Sequence, residues 1–297
     1  MIRHFILLAS ILVTGHALSA PQTPPPAPAS ASPVRLLVTL TDKAGKPIST
    51  AKASDFKIFE EGKLQTITTF GDATSLPLSV VIAVDTSGSS TDTEVTDILN
   101  KTLDVLESVL RTGRDRVALV TFSSSGRLVQ QFTDDIRSLR TTLSRGLDQP
   151  YGGTRLYDGL SNVSTLLAAT GGRKNIIVIS DGEDTESQTS REEMMKRIVQ
   201  DDVSIVSIFA THLGRSSLFD RPRAGMQILE RMAEDTGGLF FDFKELKRLD
   251  SLRDALMSQY TLEFQSNRSV AGGKYRKIKI EASNKDYRIR YRPGYYP

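Results

Sequence analysis

The residues best equipped for chemistry lie where apolar runs stop. The stretch "VIAVDTSGSS" (81–90) carries four apolar residues into Asp85, followed by Thr86, Ser87, Gly88 and Ser89. A second apolar run ends in Ile179-Ser180-Asp181-Gly182, and "YGGTRLYDG" (151–159) offers Thr154 after a glycine pair. Taken alone, Asp85 reads as a nucleophile, a catalytic acid, a metal ligand or the polar cap of a strand. Brought together, Asp85, Ser87, Ser89, Thr154 and Asp181 form an all-oxygen set of two carboxylates and three hydroxyls. Such a set suits a hard divalent cation, Mg²⁺ in the first place, with Mn²⁺ or Ca²⁺ as alternatives. With only two charged ligands, the ion would keep much of its charge and accept a further anionic oxygen.

The surrounding elements must deliver those groups to one place. From Leu78 onward, strand-like apolar runs alternate with amphipathic stretches. The strands are "LSVVIAVD", "RVALVTFS", "NIIVISDG", "VSIVSIFA" and "GLFFDF", with "RLVQQFT" as an edge strand. In "TEVTDILNKTLDVLESVLR", Val95, Ile98, Leu99, Leu103, Val105, Leu106 and Leu110 share one helical face. Further helices are expected over "DIRSLRTTLSRGL", "TRLYDGLSNVSTLLAAT", "SREEMMKRIVQDD", "MQILERMAEDTG" and "ELKRLDSLRDALMSQY". Ser190 with Glu193 fits a capping box, and Thr154 doubles as a helix N-cap. This alternation predicts an α/β fold, a doubly wound, mostly parallel sheet of Rossmann-like type covered on both faces. In such sheets ligands gather at the carboxyl ends of the strands, where the strand order reverses, and all three polar loops fall there.

Outside that region the pattern changes. Residues 1–19 combine a short basic start, the apolar run "FILLASILV" and small residues at Ala17 and Ser19, as in a cleaved secretory signal. Residues 20–33 form a stiff Pro/Ala/Ser tether. Residues 34–77 and 261–297 read as short β-strands, with turns at Lys43–Gly45 and Glu61-Gly62. The two segments are expected to pair with each other as a small β-subdomain flanking the α/β domain (78–260). An exported, periplasmic or extracellular protein follows, with no membrane span in its mature chain.

Composition removes several function classes. The chain has 297 residues, a formal charge of +3 and no cysteine, which excludes disulfides, thiolate metal sites and thiol catalysis. Its charge is too small and scattered to argue for nucleic acid. His4 and His16 lie in the signal, leaving His212 as the mature chain's lone imidazole, with no nucleophile turn nearby.

Asp85-x-Ser87-x-Ser89, a threonine after Gly152-Gly153, and the aspartate of "ISDG" together resemble the metal-ion-dependent adhesion site of von Willebrand factor type A domains. The resemblance spans about Leu78 to Tyr260. It implies Ser87, Ser89 and Thr154 as direct ligands, with Asp85 and Asp181 binding directly or through water. It also implies that the open coordination position takes a Glu or Asp carboxylate of a partner. The flanks "SDFKIFEEGKLQTITTF" and "YRIRYRPGYY" look like a group of secreted bacterial relatives common in acidobacteria. The rivals fit less well. "VDTSGSS" is near the aspartic-protease "DTGSS", but Ser87 replaces its glycine, no second such motif exists, and that family is all-β. A phosphatase using Asp85 would want D-x-D spacing, and no glycine-rich phosphate loop opens a helix. Asp158 and Asp184 read as surface or capping residues rather than ligands. The loop "THLGRSSLFDRPRAG" (211–225) reads as mobile surface or a rim around the ion. The expected function is therefore non-catalytic, cation-dependent binding of a carboxylate on a protein or surface polymer, with an interaction scaffold whose metal site is degenerate as the alternative.

Overall fold

A computed structural model describes residues 33–87, 92–147, 152–210, 221–268 and 273–297. The expected signal and all of the tether but Pro33 lie outside the described residues, as do Ser89, His212 and most of the 211–225 loop. Strands run in chain order as β1 (Val34–Thr41), β2 (Phe56–Glu60), β3 (Lys63–Gln65), β4 (Ile67–Asp72), β5 (Leu78–Asp85), β6 (Arg116–Phe122), β7 (Gly126–Thr133), β8 (Arg173–Ser180), β9 (Val203–Phe209), β10 (Phe240–Asp242), β11 (Gln259–Phe264), β12 (Arg276–Ala282), β13 (Arg288–Arg290) and β14 (Gly294–Tyr295). The helices are α1 (Asp92–Val109), α2 (Ile136–Ser144), α3 (Leu156–Ala168), α4 (Arg191–Gln200), α5 (Arg221–Asp235) and α6 (Asp250–Leu256).

The central sheet has the order β10-β9-β8-β5-β6-β7, all parallel except the antiparallel edge strand β7. Side-chain alternation along each strand feeds two cores. On β5, Leu78, Val80, Ile82 and Val84 face α1, α2 and α6, whereas Val81 and Ala83 face α3, α4 and α5. Strand β8 divides Ile177 and Ile179 from Ile176 and Val178 in the same way. Burial on both faces explains why these strands read as unbroken apolar runs. On α1 the expected face is found, with Ile98, Leu99, Leu103, Val105 and Leu106 buried and Val95 and Leu110 packed at its margin.

The terminal segments form two antiparallel sheets, β13-β1-β11-β4 and β14-β12-β2-β3, each mixing N- and C-terminal strands. Their inner faces share one core that includes Leu36, Leu40, Ile58, Leu262, Phe264, Ile278 and Ile280. The β2–β3 hairpin turns at Glu61 (φ 48°) and Gly62 (φ 77°), two positive φ values in succession as its tight turn requires. Inside this sandwich Glu60 is ion-paired with Arg276 at 3.0 Å and accepts bonds from Tyr295 Oη at 2.6 Å and from Ser266 Oγ. Burial pushes the Glu60 carboxyl up, but those hydrogen bonds and the Arg276 charge outweigh it and hold it below its ordinary value of 4.5.

Buried charges also tie the sandwich to the α/β domain. Asp115 accepts from the Leu78 N–H at 2.8 Å and from Arg111 Nε at 2.7 Å. Arg111 in turn donates to the carbonyls of Thr74 and Leu76, so the start of the central strand is fixed from both sides. Arg173, at the start of β8, donates to the Leu256 carbonyl and to Gln259. Its burial lowers its pKa to about 10.

Three expectations change. The stretch 245–260 is not one helix: a 3-10 segment, Phe243–Leu249, precedes the short α6, and strand β11 begins at Gln259. Residues 221–225, expected as loop, form the start of α5, where a proline is tolerated because the N–H it lacks would have no intrahelical acceptor there. The N-cap of α3 is Arg155 rather than Thr154.

The Glu60 cluster predicts a pH signature. Replacing Glu60 with Gln should cost about 3 kcal/mol at neutral pH by leaving Arg276 underpartnered. Because the folded-state pKa is depressed, the ionic contribution is present above pH 4.5 and is lost as pH falls through the folded value. Denaturant titrations should show the gap between wild type and Glu60→Gln narrowing below pH 4.5; a constant gap down to pH 3 would contradict this account.

Candidate metal centre

Strand order reverses between β5 and β8: β6 and β7 continue to one side of β5, and β8 to β10 to the other. The carboxyl ends of β5 and β8 therefore flank a crevice, the usual ligand position of an open parallel sheet. Asp85 ends β5 and Ser180 ends β8, with Asp181 next in the chain.

Asp85 is 3% exposed, and Ser87 and Thr154 are each 6% exposed. Asp85 Oδ1 accepts from the Ser87 N–H at 2.9 Å and from Ser87 Oγ at 2.6 Å. Its Oδ2 accepts from Ser180 Oγ at 2.7 Å. Ser87 Oγ lies 2.5 Å from Thr154 Oγ1, so the two loops meet hydroxyl to hydroxyl.

Thr154 is held by its backbone, which explains why its hydroxyl is free of capping duty. Its N–H donates to Thr185 Oγ1 at 2.8 Å, and its carbonyl accepts from the N–H groups of Thr185 and Glu186. The neighbouring Arg155 N–H donates to the Ser123 carbonyl beyond β6. Loops after β6 and β8 thus fix the threonine from opposite sides. Asp181 is half-buried and accepts from the Glu183 N–H at 2.9 Å. Gly182 follows at φ 77°, where a Cβ would lie 2.2 Å from the Gly225 carbonyl oxygen. Only glycine lets α5 close on this turn.

Burial is the main influence that pushes the Asp85 carboxyl up to about 6; the Asp181 charge adds to it, while bonds from Ser87 and Ser180 oppose it. A buried carboxylate sensing a second carboxylate, with hydroxyl oxygens converging on it, is the arrangement a divalent cation relieves. The donor chemistry therefore fits the ion. Among the described residues no group of three or more His, Cys, Asp or Glu could hold a metal, so a cation here depends on hydroxyl oxygens. Of the five residues expected at the site, the structure joins Asp85, Ser87 and Thr154 by direct contact and brings Asp181 close enough to act on Asp85; Ser89 lies outside the described residues.

Ser180 and Thr185 escape a motif-based reading. Ser180 Oγ donates to Asp85 and accepts the Gly182 N–H at 3.0 Å, coupling one aspartate to the turn that carries the other. The signal for it is a hydroxyl closing an otherwise apolar strand, one residue before Asp181. Asp158 and Asp184 act as loop anchors: Asp158 accepts from the Gln188 and Thr189 N–H groups, and Asp184 accepts from Ser187 Oγ.

Comparison with known proteins places this geometry. The model of the von Willebrand factor type A domain matches residues 79–255. Among curated proteins none matches the sequence. Three solved structures illustrate the similarity. An aerotolerance-related membrane protein from Bacteroides fragilis is 17% identical, with a TM-score of 0.45 over 60% of this chain and 96% of that one. The conserved hypothetical protein BatB from Bacteroides thetaiotaomicron is 19% identical, with a TM-score of 0.45 over 61% of this chain and 98% of that one. Proximal thread matrix protein 1 from the mussel byssus is 17% identical, with a TM-score of 0.50 over 65% of this chain and 49% of that one. At such identities these are likenesses of fold. With the family model covering more than half of the chain, and the sheet order and loops already described, the protein belongs to the von Willebrand factor type A domain family.

Proposed function

We propose that this is an exported, non-catalytic binding protein whose Asp85, Ser87, Ser89, Thr154 and Asp181 hold a divalent cation, Mg²⁺ or alternatively Mn²⁺ or Ca²⁺. The partner is a protein or surface polymer presenting a Glu or Asp carboxylate. The observation that carries this reading is the buried contact of Asp85, Ser87 and Thr154 at the strand-order reversal. When bound, the ion supplies a positive centre able to accept an external carboxylate oxygen. Asp85 provides charge and, through Oδ1, orients Ser87. Ser180 orients Asp85, and the backbone bonds of Thr154 keep its hydroxyl in the crevice. The non-catalytic reading is supported by membership of a family whose domains commonly serve as interaction modules. The N-terminal basic–apolar–small pattern supports export.

Mg²⁺ or Mn²⁺ at ten times the dissociation constant should stabilise the wild type by about 1.4 kcal/mol, a rise in Tm of roughly 2–4 °C. Asp85→Ala should abolish that rise while keeping the far-ultraviolet circular dichroism of the wild type. No rise in the wild type at millimolar metal would sink the proposal, as would metal-dependent phosphoester or peptide hydrolysis lost in the same variant. Ser180→Ala should weaken metal affinity about tenfold, the scale expected for a residue that orients a ligand, with recovery in Ser180→Thr. Calorimetric titration showing equal affinity in all three forms would remove Ser180 from the site.

A further inference from the structure

A second surface, on the β-sandwich, has the composition of a binding groove. The groove has a volume of about 680 Å³ and lies on the outward face of the β14-β12-β2-β3 sheet, where Phe59, Tyr275 and Pro293 meet Lys277 and Lys279. Register explains the grouping. Phe59 of β2 is opposite Leu64 of β3 and Lys279 of β12, so the three form one row across the sheet. The alternate residues Ile58 and Ile280 point inward to the sandwich core. Leu64 is 64% exposed and Tyr275 38% exposed, two of the large apolar side chains left uncovered.

The aromatic wall is already in place. The Tyr275 ring lies on Gly294, where a Cβ would come within 2.3 Å of Tyr275 Cζ, and Tyr296 meets it edge-on at 5.1 Å. A partner therefore need not order this side chain on binding. Charge then selects the partner. Lys57, Lys277 and Lys279 are exposed. Glu281 is ion-paired with Lys279 at 2.7 Å, and Glu61 is occupied by the Lys277 backbone N–H at 2.6 Å. The ammonium group of Lys277 forms no ion pair among the described residues, whereas Lys57 lies opposite Glu281 across β2 and β12 and acts on its carboxyl.

The geometry points to a second binding site, independent of the metal centre, that takes an acidic polypeptide segment whose apolar side chain packs between Phe59, Tyr275 and Pro293. Its carboxylates meet Lys277. Aromatic anchors framed by complementary charge are the usual energetic centre of such an interface.

Fluorescence polarisation of the full chain with a labelled peptide of alternating Glu and Phe tests this. Saturable binding is expected, at least tenfold weaker for Phe59→Ala and for the exposed, fold-neutral Lys277→Glu, weaker in high salt, and unchanged by EDTA or by Asp85→Ala. The proposal is overturned if Lys277→Glu binds like wild type, if a Lys/Phe peptide binds equally well, or if oligogalacturonate binds and the acidic peptide does not. Because EDTA and Asp85→Ala affect only the metal centre, failure here and failure there are distinguishable.

Discussion

The structure turns on one carboxylate. Asp85 ends a strand that is buried along its whole length, and it sits where desolvation disfavours its charged form. Three hydrogen bonds, from the Ser87 N–H, Ser87 Oγ and Ser180 Oγ, offset part of that cost. Asp181, arriving from the next strand over, adds a like charge. A strand-end aspartate serving only as a cap would be better solvated and would not need this company. The balance that remains disfavours the charged carboxylate, and under the proposed reading a divalent cation held with the neighbouring hydroxyl oxygens would relieve it.

Much of the remaining fold serves to keep three loops in register around that group. The parallel pairing of β5 with both β6 and β8 sets the crevice, and the bonds from Thr154 to Thr185, Glu186 and onward to Ser123 lock the third loop into it. At the opposite end of β5, the Asp115–Arg111 pair anchors Leu78 and the chain leading from β4. Arg173 does the same for the start of β8. The two strands that deliver the aspartates are thus fixed at the ends remote from the site by the same contacts that seat the β-sandwich. Arg292 adds a third tie, pairing with Asp202 at 2.9 Å and donating to the Arg35 carbonyl.

The α/β alternation was legible because doubly buried strands and one-sided helices leave distinct periodicities. The proximity of Asp85, Ser87 and Thr154 was legible because each lies within one or two residues of a strand end or a glycine pair. Tertiary contacts decided what periodicity could not. The 245–260 stretch carries a helical pattern, yet Gln259 and Tyr260 pair with Thr39 and Val38 of β1, and sheet pairing overrides local preference there. Thr154 looks like a cap because threonine before a helix usually is one; its hydroxyl instead faces Ser87, a partner 67 residues away. Ser180 was hidden for a similar reason, since its partner is 95 residues distant. Glu60 and Arg276 gave no signal at all, as charged residues in short alternating strands read as solvent-facing until both sheets are seen to close over them.

The central claim, that Asp85 and its hydroxyl neighbours hold a cation, is tested most directly by electron paramagnetic resonance of Mn²⁺ titrated into the protein. The account predicts one bound Mn²⁺ per chain in the wild type, displaced by excess Mg²⁺, and none in Asp85→Ala. Mn²⁺ that stays free in the wild type, or binds equally in the variant, would contradict it.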